Sequence, residues 1–319
     1  MELYPFQLSY VIKTPIWGGT KLLDEWNKHA DAPTVGESWE LSVRELEKSK
    51  ILNGAYAEKT LADVIATYGN SLIAPDYTDN RFPLLIKFID AKDTLSVQVH
   101  PDDAYASRVE QDRGKTEMWY IVDAEEGAEL IMGLKDGVTQ ADFAAAVKAG
   151  ESERVLKRQP VRRGESYFIP SGMPHAIGKG ILIAEIQQNC DLTYRIYDFN
   201  RRQADGSLRE LHIEKALDVV RPYSQEETNA LRHARQSESL ANGEVLADCQ
   251  YFRVEKLTVL KTHTLPTLQK MRHLLCLSGN GSLICNGKAY PIKKGDSYFL
   301  PPHLSYSLNG SLELLVSSV

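Results

Sequence analysis

The sequence predicts a mostly β protein made of two related barrels with short helices at their periphery. Short runs of β-branched and aromatic residues recur along the chain with Gly, Pro and Asn/Asp turns between them, which favours a sandwich or barrel over a βαβ fold. Helical patterns are confined to the gaps. Residues 164–176, GESYFIPSGMPHA, return as GDSYFLPPHLSYS at 295–307, and each copy is preceded by a hairpin-like segment, GAELIMG and GSLICNG. Such self-similarity marks a duplicated unit.

In chain order the predicted strands are PLLIKFID, LSVQVH, EMWYIVD, AELIMG, ESYFIPSG, GILIAEIQ and DLTYRIYDF, followed by YFRVEKLTVL, HLLCLSG, GSLICNG, DSYFLPP and LELLVSS. Each is short, apolar and bounded by turn residues. Helices are expected in LADVIATYG, DDAYASRVEQ, LHIEKALDVV and SQEETNALRHAR, and in TQADFAAAVKAG, where Thr139 and an aspartate three residues on form a capping pair and Gly150 ends the helix. The polar stretch HARQSESLANGE is poor in large apolar residues and suits a boundary. It divides the chain into an expected metal-binding domain, 1–238, and a second barrel, 239–319.

A length of 319 residues with 43% hydrophobic and 25% charged content is ordinary for a soluble globular protein. No apolar stretch approaches the roughly 20 residues of a membrane helix, and the start lacks a basic segment followed by an apolar run. The cytoplasm is the expected compartment, with no membrane partner. Cys190, Cys249, Cys276 and Cys285 form no CxxC pair and read as reduced thiols. A net charge of −6 with interspersed signs argues against nucleic acid as the main partner, while a small anionic substrate is accommodated if Arg and Lys converge locally.

The chemistry concentrates in LSVQVHPDD. Gln98 and His100 stand two residues apart in a strand-like run, so their side chains share one face. Glu117 opens the next strand and His175 follows a Pro/Gly turn. Two imidazoles, a carboxylate and an amide oxygen suit a borderline divalent ion such as zinc, with room for water or substrate. A lone strand histidine is ordinarily a packed or surface residue, and Glu117 alone reads as solvated; their company changes that reading. In the second copy Tyr306 takes the place of His175, so the C-terminal barrel is expected to be metal-free and to close one wall of the site. Its His303 falls elsewhere in the turn and reads as a surface or packing residue. Trp17, Trp39 and Trp119 read as core or wall aromatics.

The repeated G-(D/E)-x-x-x-(I/L)-P turn is similar to the second motif of cupins. Beyond it, FPLLIKFIDAKDTLSVQVHPDD, GKTEMWYIVD, PSGMPHAIGKGILIAEIQQNCDLTYRIYDFNR, WGGTKL and GESWELS together resemble the type I mannose-6-phosphate isomerases of the short bacterial form. The resemblance covers residues from about 10 to about 220, more weakly the rest. It implies one Zn2+ per chain on His100, Glu117 and His175 with Gln98 as fourth ligand, Arg195 as an active-site arginine, Lys115 beside the metal, and Asp191 as a carboxylate in proton transfer. The implied reaction interconverts mannose 6-phosphate and fructose 6-phosphate through ring opening and an enediolate, with Glu185 as the alternative base. Ser96, Lys87, Lys115 and Arg195 are candidates for the phosphate, because arginine and lysine both suit it. The large helical insertion of the family's longer members is lacking. The expected partner is a sugar phosphate, and the expected state a monomer or weak homo-oligomer. Two other readings stand beside this one. Two histidines and a carboxylate are also the facial triad of non-haem iron oxygenases, and the same pocket could serve a non-catalytic sugar-phosphate-binding cupin.

Overall fold

The structure, a computed structural model, describes residues 2–203, 205–235 and 242–319. The boundary expected at 238/239 lies outside these residues. Three sheets, all antiparallel, make up most of the molecule. A six-stranded sheet runs in spatial order Ser166–Ile169, Glu117–Ala124, Ile181–Gln188, Leu84–Ala91, Glu37–Leu41, Val11–Lys13. A five-stranded sheet runs Leu156–Pro160, Glu129–Leu134, His175–Ala176, Val97–Val99, Tyr194–Tyr197. Trp119, Ile121 and Ile183 of the first join Leu130 of the second, with Trp17, Leu95 and Ile177, in one core.

The third sheet gathers the C-terminal strands. Its long central pair, Arg272–Cys285 and Tyr306–Ser318, is flanked by Ser297–Leu300 and Arg253–Val259, and its own core holds Leu257, Leu274, Leu283, Tyr298, Leu308 and Leu314. The strand Leu84–Ala91 is buried along its whole length, because each face meets a different partner. Ile86 and Phe88 on one face, with Met118, Ala184 and Ile186 beside them, pack on Leu275, Phe299 and Leu315 of the third sheet. The alternate residues, Lys87 and Ile89, face the other way.

Near the start of the chain, Phe6–Gln7 pairs not with its neighbours in sequence but with Tyr298–Phe299. A buried polar joint reinforces the same contact. Lys28 Nζ donates to Glu40 Oε2 at 2.8 Å and to the Gly295 carbonyl at 2.9 Å, Ser38 Oγ donates to the same carboxylate at 2.6 Å, and Ser297 Oγ donates to the Glu40 carbonyl at 2.7 Å.

All five expected helices form, as Leu61–Tyr68, Asp103–Val109, Gln140–Lys148, Ile213–Val219 and Gln225–Arg232. The Thr139–Asp142 capping box is reciprocal, as its sequence spacing requires. A short helix at Lys21–Asp24 and the strand Glu37–Leu41 were not anticipated as elements. Tyr306 lies in the C-terminal core and donates its hydroxyl to the Pro301 carbonyl at 2.7 Å. His303 is exposed, with φ 65°. The four cysteines are buried free thiols. No helix among the described residues is long and apolar enough to cross a membrane.

Candidate metal centre and active site

The two N-terminal sheets face each other across a buried polar cluster. His175 pairs directly with Gln98, and Gln98 in turn with Arg195 on the next strand, so three predicted site residues share one register line. His100 follows immediately after the strand that carries Gln98. Glu117 projects from the opposite sheet, where Lys115, Glu117 and Trp119 alternate onto the inner face.

His175 Nε2 lies 3.3 Å from Glu117 Oε1 and His100 Nε2 lies 3.7 Å from Glu117 Oε2. One ligand atom from each of the three residues falls within 4.8 Å of the others, and all three residues are buried. Each ring is oriented from behind: His100 Nδ1 is 2.8 Å from the Leu192 carbonyl and His175 Nδ1 is 2.8 Å from the Met173 carbonyl. A carbonyl only accepts, so both Nδ1 atoms carry the proton and both Nε2 lone pairs point inward, the arrangement of metal-ligating histidines. Burial pushes His175 down to about 4 and His100 well below its ordinary value, with Lys115 adding to the effect. Both rings are therefore neutral near pH 7. The Gln98 amide lies 3.4 Å from His175 Nε2, and a half-turn of the amide brings its oxygen to the same place.

The donor atoms suit a cation because little else binds them. His100 Nε2 and Glu117 Oε1 are buried without a hydrogen-bond partner, a costly state for polar groups. The surrounding charges agree. Lys115 Nζ sits 3.1 Å from Glu117 Oε2 and 3.8 Å from Glu185 Oε1, and Lys87 Nζ sits 3.5 Å from Glu37, 3.7 Å from Glu185 and 3.8 Å from Asp191. Four carboxylates against two ammonium groups leave a charge of −2, which one divalent ion neutralises. Burial lowers both lysines, yet the carboxylates outweigh it and hold each above its ordinary value. Glu185 is raised, by burial first and then by the charge of Glu117, against the pull of the two lysines.

Across the six-stranded sheet, register sets Trp39, Lys87, Glu185 and Trp119 side by side. Trp119 Nε1 donates to Glu185 Oε2 at 3.0 Å, Trp39 Nε1 donates to Glu37 Oε2 at 2.6 Å, and the Lys87 ammonium lies 4.8 Å from the Trp39 ring. The tryptophans are thus walls with working N–H groups. Glu37 escaped the sequence reading. Its signal was the alternation in ESWELS, which places Glu37 with Trp39 on one strand face and Ser38 with Glu40 on the other.

Arg195 is half-buried, its Nε 3.3 Å from Ser96 Oγ and its Nη1 donating to the Glu210 carbonyl at 2.8 Å. The surface ion pairs that could have explained it away are otherwise engaged: Asp198 binds Arg201 and Arg209, and Asp191 lies by Lys87. Of the phosphate candidates, Ser96 and Arg195 therefore stand together, whereas Lys87 is enclosed by carboxylates. Asp191 is half-exposed.

This arrangement can bind a divalent cation, place two ammonium groups and three further carboxylates around it, and present a guanidinium at its edge. The family model for the catalytic domain of type I phosphomannose isomerase matches residues 5–145, and the model for the cupin domain of mannose-6-phosphate isomerase matches residues 242–319. The chain is similar to the mannose-6-phosphate isomerase ManA of Bacillus subtilis, 37% identical over 319 residues and 99% of each chain. It is also similar to a mannose-6-phosphate isomerase of Streptococcus mutans, 36% identical over 321 residues and 98% of each. The crystal structure of the mannose 6-phosphate isomerase from B. subtilis superposes with a TM-score of 0.88 at 33% identity over 99% of both chains. With both family models matched and relatives of this identity aligned end to end, the chain belongs to the type I phosphomannose isomerases.

Proposed function

We propose that the protein interconverts mannose 6-phosphate and fructose 6-phosphate with one zinc ion held by Gln98, His100, Glu117 and His175. The observation that carries the reading is the set of buried, unpartnered atoms of His100 and Glu117 converging beside two inward imidazole lone pairs. Closed-shell zinc suits this mixed N/O set and brings no redox chemistry. When bound, the ion supplies Lewis acidity that lowers the cost of negative charge on neighbouring sugar oxygens.

The side chains perform the remaining steps. Lys115, kept protonated by its carboxylates, binds the ring oxygen electrostatically as the C1–O bond breaks and the O1 proton passes to that oxygen. Asp191, the half-exposed carboxylate of the cluster, carries the proton between C1 and C2. Glu185 is held by Trp119 and two lysines and serves as their fixed counter-charge. Arg195, anchored by Ser96 and the Glu210 carbonyl, orients an anionic substrate oxygen, and with Ser96 it receives the phosphate. The duplicated turn supports two barrels of one plan, the second of them without a metal of its own. A small phosphorylated sugar as substrate is consistent with work in the cytoplasm.

The test is zinc content together with conversion of mannose 6-phosphate, before and after chelation and on zinc readdition, with His175→Ala as control. Activity lost on chelation, restored by zinc and missing from the variant supports the reading. A zinc-loaded, folded protein that turns nothing over refutes it, and oxygen consumption by an iron-loaded sample would favour the oxygenase chemistry of the same triad.

A further inference from the structure

The ammonium of Lys115 sits at the tip of a turn whose backbone is held from outside the site. Lys115 N donates to the Pro101 carbonyl at 3.0 Å. On either side of it, the amides of Gly114 and Thr116 are taken by two side chains that touch each other. Asp103 Oδ1 accepts from Gly114 N at 2.9 Å and from Gln188 Nε2 at 3.1 Å, while Gln188 Oε1 accepts from Thr116 N at 2.9 Å. Gln188 N also donates to the Thr116 carbonyl at 3.1 Å. Gln188 is buried, and it ends the same strand that presents Glu185 to Lys115.

The turn has no slack. A Cβ on Gly114 would stand 2.5 Å from the backbone of Asp102 and Asp103, so the turn lies directly against the start of the helix Asp103–Val109. Tyr251, from the C-terminal part of the chain, faces the same Asp103 carboxylate and is raised by burial and by that charge.

We propose that Gln188 and Asp103 form a clamp that sets the position of the Lys115 ammonium, and that both are positioning residues for the isomerisation. The inference rests on the reading that Lys115 acts on the substrate. A displacement of about 1 Å in a group that binds a reacting oxygen is worth up to about a hundredfold in rate, and these three hydrogen bonds act together with the Lys115 N–H bond to Pro101 to resist it.

The experiment is a cycle on the zinc-loaded, full-length protein, with kcat and KM measured for the wild type, Gln188→Glu, Lys115→Met and the combination. Gln188→Glu keeps the acceptor for Thr116 but sets a carboxylate against Asp103. We expect kcat to fall about tenfold or more with zinc content unchanged, and adding Asp103→Asn to restore most of it by returning a donor. In the Lys115→Met background Gln188→Glu should cost nothing further, because residues acting as one unit are not additive. Should Gln188→Glu fail to fold, Asp103→Asn alone, which keeps the acceptor and weakens both bonds, is expected to lower kcat a few-fold and to be silent in the Lys115→Met background. Additive losses, or an unchanged kcat in the folded single variants, overturn the clamp. Lys115→Met at the wild-type rate instead removes the role of Lys115, and the clamp's role with it.

Discussion

Replacing Lys28 by methionine tests whether the joint between the catalytic sheets and the C-terminal sheet is electrostatic. Methionine fills most of the volume but leaves Glu40, which is 1% exposed, with Ser38 as its one remaining side-chain donor. Removing one partner of a buried pair costs about 3–5 kcal/mol, since the survivor is a charge without compensation. The ammonium's bond to Gly295 and its place 4.3 Å from the Tyr10 ring are lost as well. The pH dependence has a definite sign. Burial already raises the Glu40 carboxyl, and Lys28 opposes that rise; without Lys28 it moves higher still. A group raised in the folded state penalises folding above its folded pKa and is relieved as protonation sets in. The deficit of Lys28→Met relative to wild type should therefore be largest at pH 8 and shrink towards pH 5, and Lys28→Met/Glu40→Gln should recover about half of it at pH 8. Urea unfolding followed by tryptophan fluorescence reads all three quantities. A deficit below about 1 kcal/mol at pH 8, or one that is flat with pH, would refute the reasoning.

Further outcomes follow from the site and its supports. Chelation should lower the melting temperature, because it leaves the −2 cluster uncompensated, and zinc should restore it in a concentration-dependent way; an unchanged melting curve in metal-free protein would argue against the four-ligand site. Trp119→Phe removes the N–H that serves Glu185, and a stability loss of about 1.5–3 kcal/mol is expected for a hydrogen bond to a buried charge, measured by denaturant titration. Asp90 is raised from 3.8 to about 6, chiefly by burial, so its ionisation opposes folding above about pH 6. Wild type should gain on Asp90→Asn as pH falls from 7 to 5, by about 1–1.5 kcal/mol, with the rest of the effect recovered only below pH 5, and a constant difference between the two would contradict the assignment. Asp191→Asn should reduce kcat by at least about a hundredfold if it carries the proton, while Glu185→Gln at wild-type KM and the same loss would move that role to Glu185.

What the sequence made legible was local. Gln98 and His100 shared a face through simple alternation, His175 followed a recognisable turn, and Thr139 announced a helix through its aspartate partner. What it concealed was placement across strands. Nothing near Lys87 in the chain reveals that Glu37 and Glu185 enclose it, because register between distant strands is set by packing of whole sheets. For the same reason a lysine proposed for phosphate lies within a cage of carboxylates. Glu40 lies buried against Lys28 and Ser38, and nothing beside it in the chain announces the lysine from another segment. Gln188 fell just beyond the predicted strand GILIAEIQ, and its side chain meets a backbone amide 72 residues earlier in the chain.

The pairing of Phe6–Gln7 with Tyr298–Phe299 constrains the order in which the molecule can be made. A growing chain emerging from the ribosome can assemble the two sheets around the His100–Glu117–His175 cluster long before residue 298 exists, but the segment near Phe6 must wait, unpaired, for its partner. Phe6 itself is fully buried in the finished protein, so an apolar strand remains available to the wrong edge for most of synthesis. Moving this segment to follow the last strand by circular permutation would let it dock as soon as it is made. The yield of soluble protein from such a permutant is a direct measure of how much the natural order costs.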